Sequence, residues 1–174
     1  MFVPMKASLT DLLCTQCGLC CDGSLLADVE LASRAEATRL EILGLEIEED
    51  DSHGLLPLPC GALKGTRCSI YEHRPECCRT FECGLLQEVR RGAVEVERAS
   101  RLIAETRMKI ARVRELMTGL GTPARDLPLR ESCAELLAGT VDLGPETQRR
   151  RAELEAAMSA VEEMLRKTFL GGVR

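Results

Sequence analysis

Four cysteines fall within eight residues near the start of this chain, and they constrain its folding more than any other feature. The run reads Cys14-Thr-Gln-Cys17-Gly-Leu-Cys20-Cys21. Five more cysteines follow in a second group: Cys60, Cys68, Cys77, Cys78 and Cys83. A C-x-x-C spacing lets two sulfurs meet one tetrahedral metal, and thiolates are preferred ligands of zinc and of iron–sulfur clusters. We therefore predict that the two groups hold metal together.

Adjacent cysteines limit how the thiols can pair. Consecutive Cα atoms lie about 3.8 Å apart, whereas disulfides normally need roughly 4.4 to 6.8 Å. The side chains of Cys20 and Cys21 diverge, so their sulfurs more easily serve two different metal atoms than one. With one member of the Cys77–Cys78 pair set aside, eight thiols remain, which is the number that two four-thiolate sites use. This predicts two sites or a paired-metal centre.

The expected cellular compartment also favours metal binding by the cysteines. The first residues show no basic segment followed by an apolar run, and no eighteen apolar residues run together, so we expect a cytoplasmic protein that does not enter a membrane. Cytoplasmic thiols stay reduced, which favours metal or redox chemistry over structural disulfides. Two alternatives remain open for the cysteines: buried free thiols, and a redox dithiol formed by Cys14 and Cys17.

Charge argues against nucleic acid as a partner. Residues 1–87 carry 7 Lys and Arg against 14 Asp and Glu, and residues 88–174 carry 16 against 14. The acidic half also holds nine of the ten cysteines, so thiolates would make it more negative. Aromatic residues are only 2% of the chain, which leaves few stacking surfaces for bases. We expect no nucleic-acid binding.

Residues 1–83 and 84–174 differ in pattern. After Asp28, a good N-cap, helical spacing predicts one helix over Val29–Leu43. Glycines and prolines between short apolar runs predict loops and a small hairpin over residues 45–83. Because apolar burial can hold little of this lobe, we predict a metal-stabilised, cysteine-rich lobe over 1–83, packed on a helical support region over 84–174 as one continuous domain.

The second region is patterned as helices, which makes the predicted fold mainly α. A short helix ends near Gly92, a long one covers 94–118, a short one surrounds Glu131–Ala138, and the last covers 145–169. We expect the two long helices to pack on each other, with Cys133 as a core thiol. The surfaces of these two long helices are where we expect an unknown protein partner to bind. The apolar face of the last helix would also allow it to form a dimer.

An ordered motif runs through both cysteine groups. It comprises the run Cys14–Cys21, the lone Cys60, and Cys68-Ser-Ile-Tyr71-Glu-His-Arg74-Pro75-Glu-Cys-Cys78-Arg79-Thr-Phe81-Glu-Cys83. The motif resembles the YkgJ-type CxxCxxCC cysteine-cluster family, described as zinc- or iron-chelating. The resemblance places metal ligands on Cys14, Cys17, Cys20, Cys21, Cys60, Cys68, Cys78 and Cys83. Cys77 occupies a variable position of the motif and is the extra thiol.

The resemblance implies metal binding and leaves two functions open. The first is an iron–sulfur cluster or iron ions with a redox or modifying role, since members are labelled iron–sulfur oxidoreductases and a flagellin lysine N-methylase carries a similar signature. The second is a zinc-stabilised protein-binding module without catalysis. Catalytic residues are not assigned. The only G-x-G pattern, at Gly119 to Gly121, follows a helix instead of a strand, so it predicts an interhelical turn and not a dinucleotide site.

Charged residues near the motif carry alternative roles. Arg74 and Arg79 either offset the charge of metal-bound thiolates or support the loop, with Arg74 bonding carbonyls. His53 and His73 are expected in solvent or loops, because eight matched cysteines leave them no ligand position. The segment 90–114 has eight Lys and Arg against three Asp and Glu. Its surplus charge either lies against the cysteine lobe, binds an acidic partner or is simply solvated.

Overall fold

The computed structural model describes residues 8–50, 53–121, 127–139 and 144–171. The predicted mainly α fold is confirmed, with long C-terminal helices packed against the N-terminal region. The described residues form seven α-helices: α1 Leu9–Cys17, α2 Arg34–Ile42, α3 Glu76–Thr80, α4 Gly84–Arg90, α5 Val96–Gly119, α6 Leu129–Ala138 and α7 Pro145–Leu165. They also form four short strands: β1 Asp28–Glu30, β2 Leu55–Pro57, β3 Leu63–Lys64 and β4 Arg67–Cys68.

The main core lies between the two long helices, as their stripes predict. Residues of α5 such as Ile110 and Val113 and residues of α7 such as Leu154 and Val161 are at most 2% exposed. Cys133 of α6 is buried in the same core, which confirms it as a core thiol. The predicted turn after α5 is described only as far as Gly121, and residues 122–126 lie outside the described part.

The N-terminal helix α1 was not predicted as a helix, although the sequence carries its signal. Ser8 is its N-cap: the hydroxyl accepts a hydrogen bond from the Asp11 amide, and the Asp11 carboxylate accepts one from the Ser8 amide. This reciprocal capping box starts a helix whose buried Leu13 and Cys17 join the main core. The first cysteine run is therefore anchored to the helical region.

The predicted helix over Val29–Leu43 is wrong in its first five residues. Residues 28–30 form β1, which pairs antiparallel with β2 so that Val29 faces Leu56. The helix α2 begins only at Arg34, because the side chain of Ser33 accepts a hydrogen bond from the Glu36 amide and caps it. Strand pairing and burial of Val29 outweighed the local preference for helix.

A second, smaller core lies within residues 31–62, and no local sequence pattern indicates it. Its buried members are Leu31, Ala37, Leu40, Leu45, Leu56 and Ala62. The predicted hairpin is present as β3 and β4, in which Leu63 faces Cys68. Among the described residues, none of the helices is both long enough and apolar enough to cross a membrane.

Candidate metal centre

All nine cysteines of the two groups line one cavity of about 290 Å³. The wall is formed by the end of α1, the turn after it, the β3–β4 hairpin, α3 and the start of α4. It contains the eight predicted ligands and the extra thiol: Cys14, Cys17, Cys20, Cys21, Cys60, Cys68, Cys77, Cys78 and Cys83. The fold thus brings together residues up to 69 positions apart in sequence.

The end of α1 positions the first cysteine run. Cys14 and Cys17 stand three residues apart in the last turn of the helix, so their side chains lie on one face. The helix ends at Gly18 in the left-handed conformation, with φ +71°, which reverses the chain. The Cys21 amide then donates to the Gly18 carbonyl at 3.0 Å, so Cys20 and Cys21 sit in the tight turn that follows.

Two hydrogen bonds attach Cys60 and the hairpin that follows it to α1 and the turn after α1. The Cys60 amide donates to the Cys21 carbonyl at 2.8 Å. At the hairpin tip, the Thr66 hydroxyl donates to the Thr15 carbonyl of α1 at 2.7 Å. These bonds hold Cys60 and Cys68 against the first cysteine run.

A buried carboxylate orients α3, the helix that carries Cys77 and Cys78. One oxygen of Glu36 accepts from the Glu76 amide at 2.8 Å, and the other accepts from the Ala32 amide at 3.0 Å. The Glu36 side chain is only 8% exposed. A carboxylate at a helix N-terminus satisfies an amide that would otherwise lack a partner. Sequence reasoning missed this residue, because 40 positions separate Glu36 from the helix that it caps.

The start of α4 places Cys83 in the cavity wall. Cys83 is the N-cap of α4, and Gly84 follows it. A Cβ at Gly84 would lie 3.0 Å from the Gly171 carbonyl oxygen, so glycine allows α4 to approach the end of the chain closely. Phe169, 1% exposed, fills the core beside it. Cys83 is therefore held by the helical region and not by the loops around it.

Burial controls the electrostatics of the thiols. It raises the pKa of Cys14 to about 11 and the pKa values of Cys17 and Cys21 to about 12. Burial also raises the pKa of Cys20 well above its ordinary value. A redox dithiol needs a lowered pKa and an accessible sulfur, so these environments disfavour the Cys14–Cys17 redox alternative. Bare thiolates are costly in this cavity, and a metal cation is a group that would offset their charge.

Cys77 and Cys78 share a hydrogen bond between their side chains. The Cys78 thiol donates to the Cys77 sulfur, which lowers the pKa of Cys77 and raises that of Cys78. Both side chains line the cavity, so position alone does not separate the predicted ligand Cys78 from the extra thiol Cys77.

Arg74 has the loop-supporting role that the sequence predicts as one of two alternatives, and its role toward metal-bound thiolates stays a prediction. Its guanidinium lies 3.5 Å from the centre of the Tyr71 ring, and its Nε donates to the Tyr71 carbonyl at 3.0 Å. Its positive charge also lowers the pKa of Cys14, against the larger effect of burial. Arg79 lines the cavity as well. His53 and His73 are exposed and do not line this cavity, as expected.

Part of the basic segment 90–114 lies against the cysteine lobe. Arg107 Nη1 donates to the Cys17 carbonyl at 2.7 Å. Arg114 Nη2 lies 3.2 Å from both the carbonyl oxygen and a carboxylate oxygen of Asp22. Two arginines of α5 therefore hold the turn that contains Cys20 and Cys21.

The donor set fits a soft metal by its chemistry. Nine cysteines line the cavity together with two acidic residues, Asp28 and Glu82. Within the described ranges, no three side chains of His, Cys, Asp or Glu already converge closely enough to hold an ion. The fold thus gathers the thiols around one space, and metal binding would require them to move inwards.

Comparison with known proteins agrees with this donor chemistry. A family model named CxxCxxCC, with the description "Putative zinc- or iron-chelating domain", matches residues 13–109. The match covers 97 of the 174 residues, and it includes the last five residues of α1, all nine cysteines of the cavity and the part of α5 as far as Lys109. No curated protein and no solved structure matches the chain significantly. The chain belongs to the CxxCxxCC family of zinc- or iron-chelating domains.

Proposed function

We propose that this protein binds zinc or iron through eight cysteine thiolates. The observation that carries the proposal is the convergence of two distant cysteine groups on one cavity. The proposed ligands are Cys14, Cys17, Cys20, Cys21, Cys60, Cys68, Cys78 and Cys83. Sulfur donors in this number favour metals that accept four thiolates, and both zinc and iron–sulfur clusters do so.

The first candidate is an iron centre, either a cluster or iron ions, with a redox or modifying role. Bound iron would supply one-electron chemistry. The chain itself supplies a shielded, largely apolar surrounding: Leu13, Leu56 and Leu85 line the same cavity and are each at most 3% exposed. Burial and hydrogen bonds to sulfur are the means by which a protein sets the potential of such a centre.

The second candidate is a zinc-stabilised binding module without catalysis. It is favoured by the number of thiols, because a zinc ion closed by four cysteines has no position for substrate. Any protein partner would meet the outward faces of α5 and α7, since the inward stripes over 94–118 and 145–169 are buried against each other.

Metal analysis of anaerobically purified protein tests the proposal and separates its two forms. We expect stoichiometric metal in the wild-type chain. Iron with visible thiolate-to-iron absorption supports the first candidate, and colourless protein with zinc supports the second. The control is Cys133→Ala, whose thiol is buried in the main core and which should retain the metal content of the wild type. Protein that remains metal-free after anaerobic reconstitution with either metal would overturn the proposal.

A further inference from the structure

The cavity wall has two halves that belong to two different cores. Cys17 is a member of the main core, and Cys14 and Cys83 pack against it. Cys60 and Cys68 instead pack against the small core between the cysteine groups. The thiols that line one cavity are thus held by two separately packed parts of the molecule.

The main-core half is assembled by α1 and α4. These two helices pack on each other, which brings Cys83 at the start of α4 to the helix face that carries Cys14 and Cys17. Cys20 follows after the chain reversal at Gly18. Leu19, the residue before Cys20, is buried in the same core as Cys17, so Cys20 starts from the main-core side of the cavity.

The small-core half is assembled by the hairpin and α3. The bond from the Cys60 amide to the Cys21 carbonyl, 2.8 Å long, joins these two residues. The Leu63 amide donates to the Cys60 carbonyl at 2.9 Å, and Leu63 faces Cys68 across the hairpin. The helix α3 with Cys78 is held from the same side, because the Glu76 amide of α3 donates at 2.8 Å to Glu36 of α2, whose Ala37 and Leu40 belong to the small core.

The boundary between the halves falls at one peptide bond. Cys20 and Cys21 are consecutive, but they are held by different halves. Cys20 follows Leu19, a buried member of the main core, whereas the Cys21 carbonyl accepts the hydrogen bond from the Cys60 amide of the small-core half. The adjacent pair therefore acts as the point where the two halves meet.

We propose that the eight thiols divide into two four-thiolate sets, Cys14, Cys17, Cys20 and Cys83 in the first and Cys21, Cys60, Cys68 and Cys78 in the second, each binding its own metal. The division rests on the proposed function, because it presupposes that these eight thiols bind metal. It extends that function by assigning the first metal to the helical region and the second to the small-core region. Four sulfurs satisfy one tetrahedral ion, so neither set needs a ligand from the other.

Cadmium NMR on the unmutated, reduced chain tests the division directly. Cadmium accepts four thiolates as zinc does, and its scalar couplings identify the cysteine β-protons of its own ligands. We expect two cadmium resonances, one coupled to Cys14, Cys17, Cys20 and Cys83 and the other to Cys21, Cys60, Cys68 and Cys78. A cysteine coupled to both ions, or a set that mixes the two groups, would overturn the division while leaving metal binding intact. A chain that takes up no cadmium would overturn the proposed function as well.

Paired substitutions give an independent readout by cadmium stoichiometry. Cys17→Ser with Cys83→Ser removes ligands of the first set only, so we expect one of the two ions to remain. Cys17→Ser with Cys68→Ser damages both sets, so we expect neither ion to remain tightly bound. Cys77→Ser with Cys133→Ser is the matched control and should keep both ions. Equal loss in the first two variants would contradict two separate sets.

Discussion

The helical region and the outer lobe, which we define as residues 28–78, differ in how much apolar side chain they bury. In the part of the chain that the structure describes, the main core contains eighteen buried residues, mostly from α4 to α7 with α1, whereas the small core of the outer lobe contains six. A few buried aliphatic side chains contribute little against the entropy of ordering some fifty residues. The outer lobe therefore needs another source of stability, which bound metal would supply.

The adjacent cysteines of α3 offer the test with the largest expected effect. We expect Cys78→Ala to lose metal and with it the order of the outer lobe, because removing one of four thiolates opens a site. Cys77→Ala is the matched control, since this neighbouring side chain lines the same cavity, and it should keep its metal. Metal analysis and circular dichroism provide the readout. Retention in Cys78→Ala with loss in Cys77→Ala would reverse the ligand assignment.

Substituting one leucine in each core compares how much each core stabilises the molecule, and both leucines are 0% exposed. Leu154→Ala in the main core should lower the free energy of global unfolding by about 2 to 5 kcal/mol. Leu40→Ala in the small core should lower the free energy of local opening of the outer lobe by a similar amount while leaving global unfolding nearly unchanged. Hydrogen exchange distinguishes local from global opening. An equal fall in global stability for both variants would show that the two cores unfold as one unit.

The buried Glu36 tests what holds α3 against the cavity. Glu36→Gln keeps one acceptor oxygen and loses the other. We therefore expect the free energy of local opening of the outer lobe to fall by about 1 to 3 kcal/mol. Glu41→Gln on the exposed face of the same helix is the control and should change stability by less than about 0.5 kcal/mol. Hydrogen exchange of the amides of Ala32 and Glu76 reports the effect. Unchanged protection of both amides would show that Glu36 does not hold α3 against the cavity.

The smallest effect is expected at the contact between α5 and the cysteine turn. Arg114 forms an ion pair with Asp22, and the Arg114 side chain is 36% exposed. Arg114→Ala should therefore lower the free energy of unfolding by at most about 1 kcal/mol. We expect faster hydrogen exchange at Cys21 and Asp22. Arg112→Ala, which breaks only surface ion pairs with Glu115 and Glu153, should leave those amides unchanged. The same exchange rates in both variants would show that Arg114 does not hold the turn.

The helical region could be predicted from sequence because its signals are local. The period of the α5 and α7 stripes, Pro145 at the start of α7 and the glycines after α5 fix these helices without reference to distant residues. The strand β1 could not be predicted in this way, because Val29 pairs with Leu56, 27 residues away. The helix α1 was predictable, since the Ser8-x-x-Asp11 capping box is visible in the sequence.

The candidate site could be predicted in its residues but not in its arrangement. Spacing and family resemblance selected the eight thiols, and the structure places all of them on one cavity. The contacts that arrange them, from Arg107 to Cys17, from Cys60 to Cys21 and from Glu36 to Glu76, span 39 to 90 positions, and no local pattern indicates such pairs. The ligand identities themselves stay a prediction.

Hydrogen exchange before and after metal removal tests most directly whether metal substitutes for apolar core in the outer lobe. The wild-type chain would be compared in its metal-loaded form and after anaerobic chelation with its thiols kept reduced. Removal should abolish protection at the amides of Val29, Leu55 and Ser69 while those within α5 and α7 keep theirs. Unchanged protection throughout residues 28–78 after complete metal removal would contradict this, because the six-residue core would then hold the lobe alone.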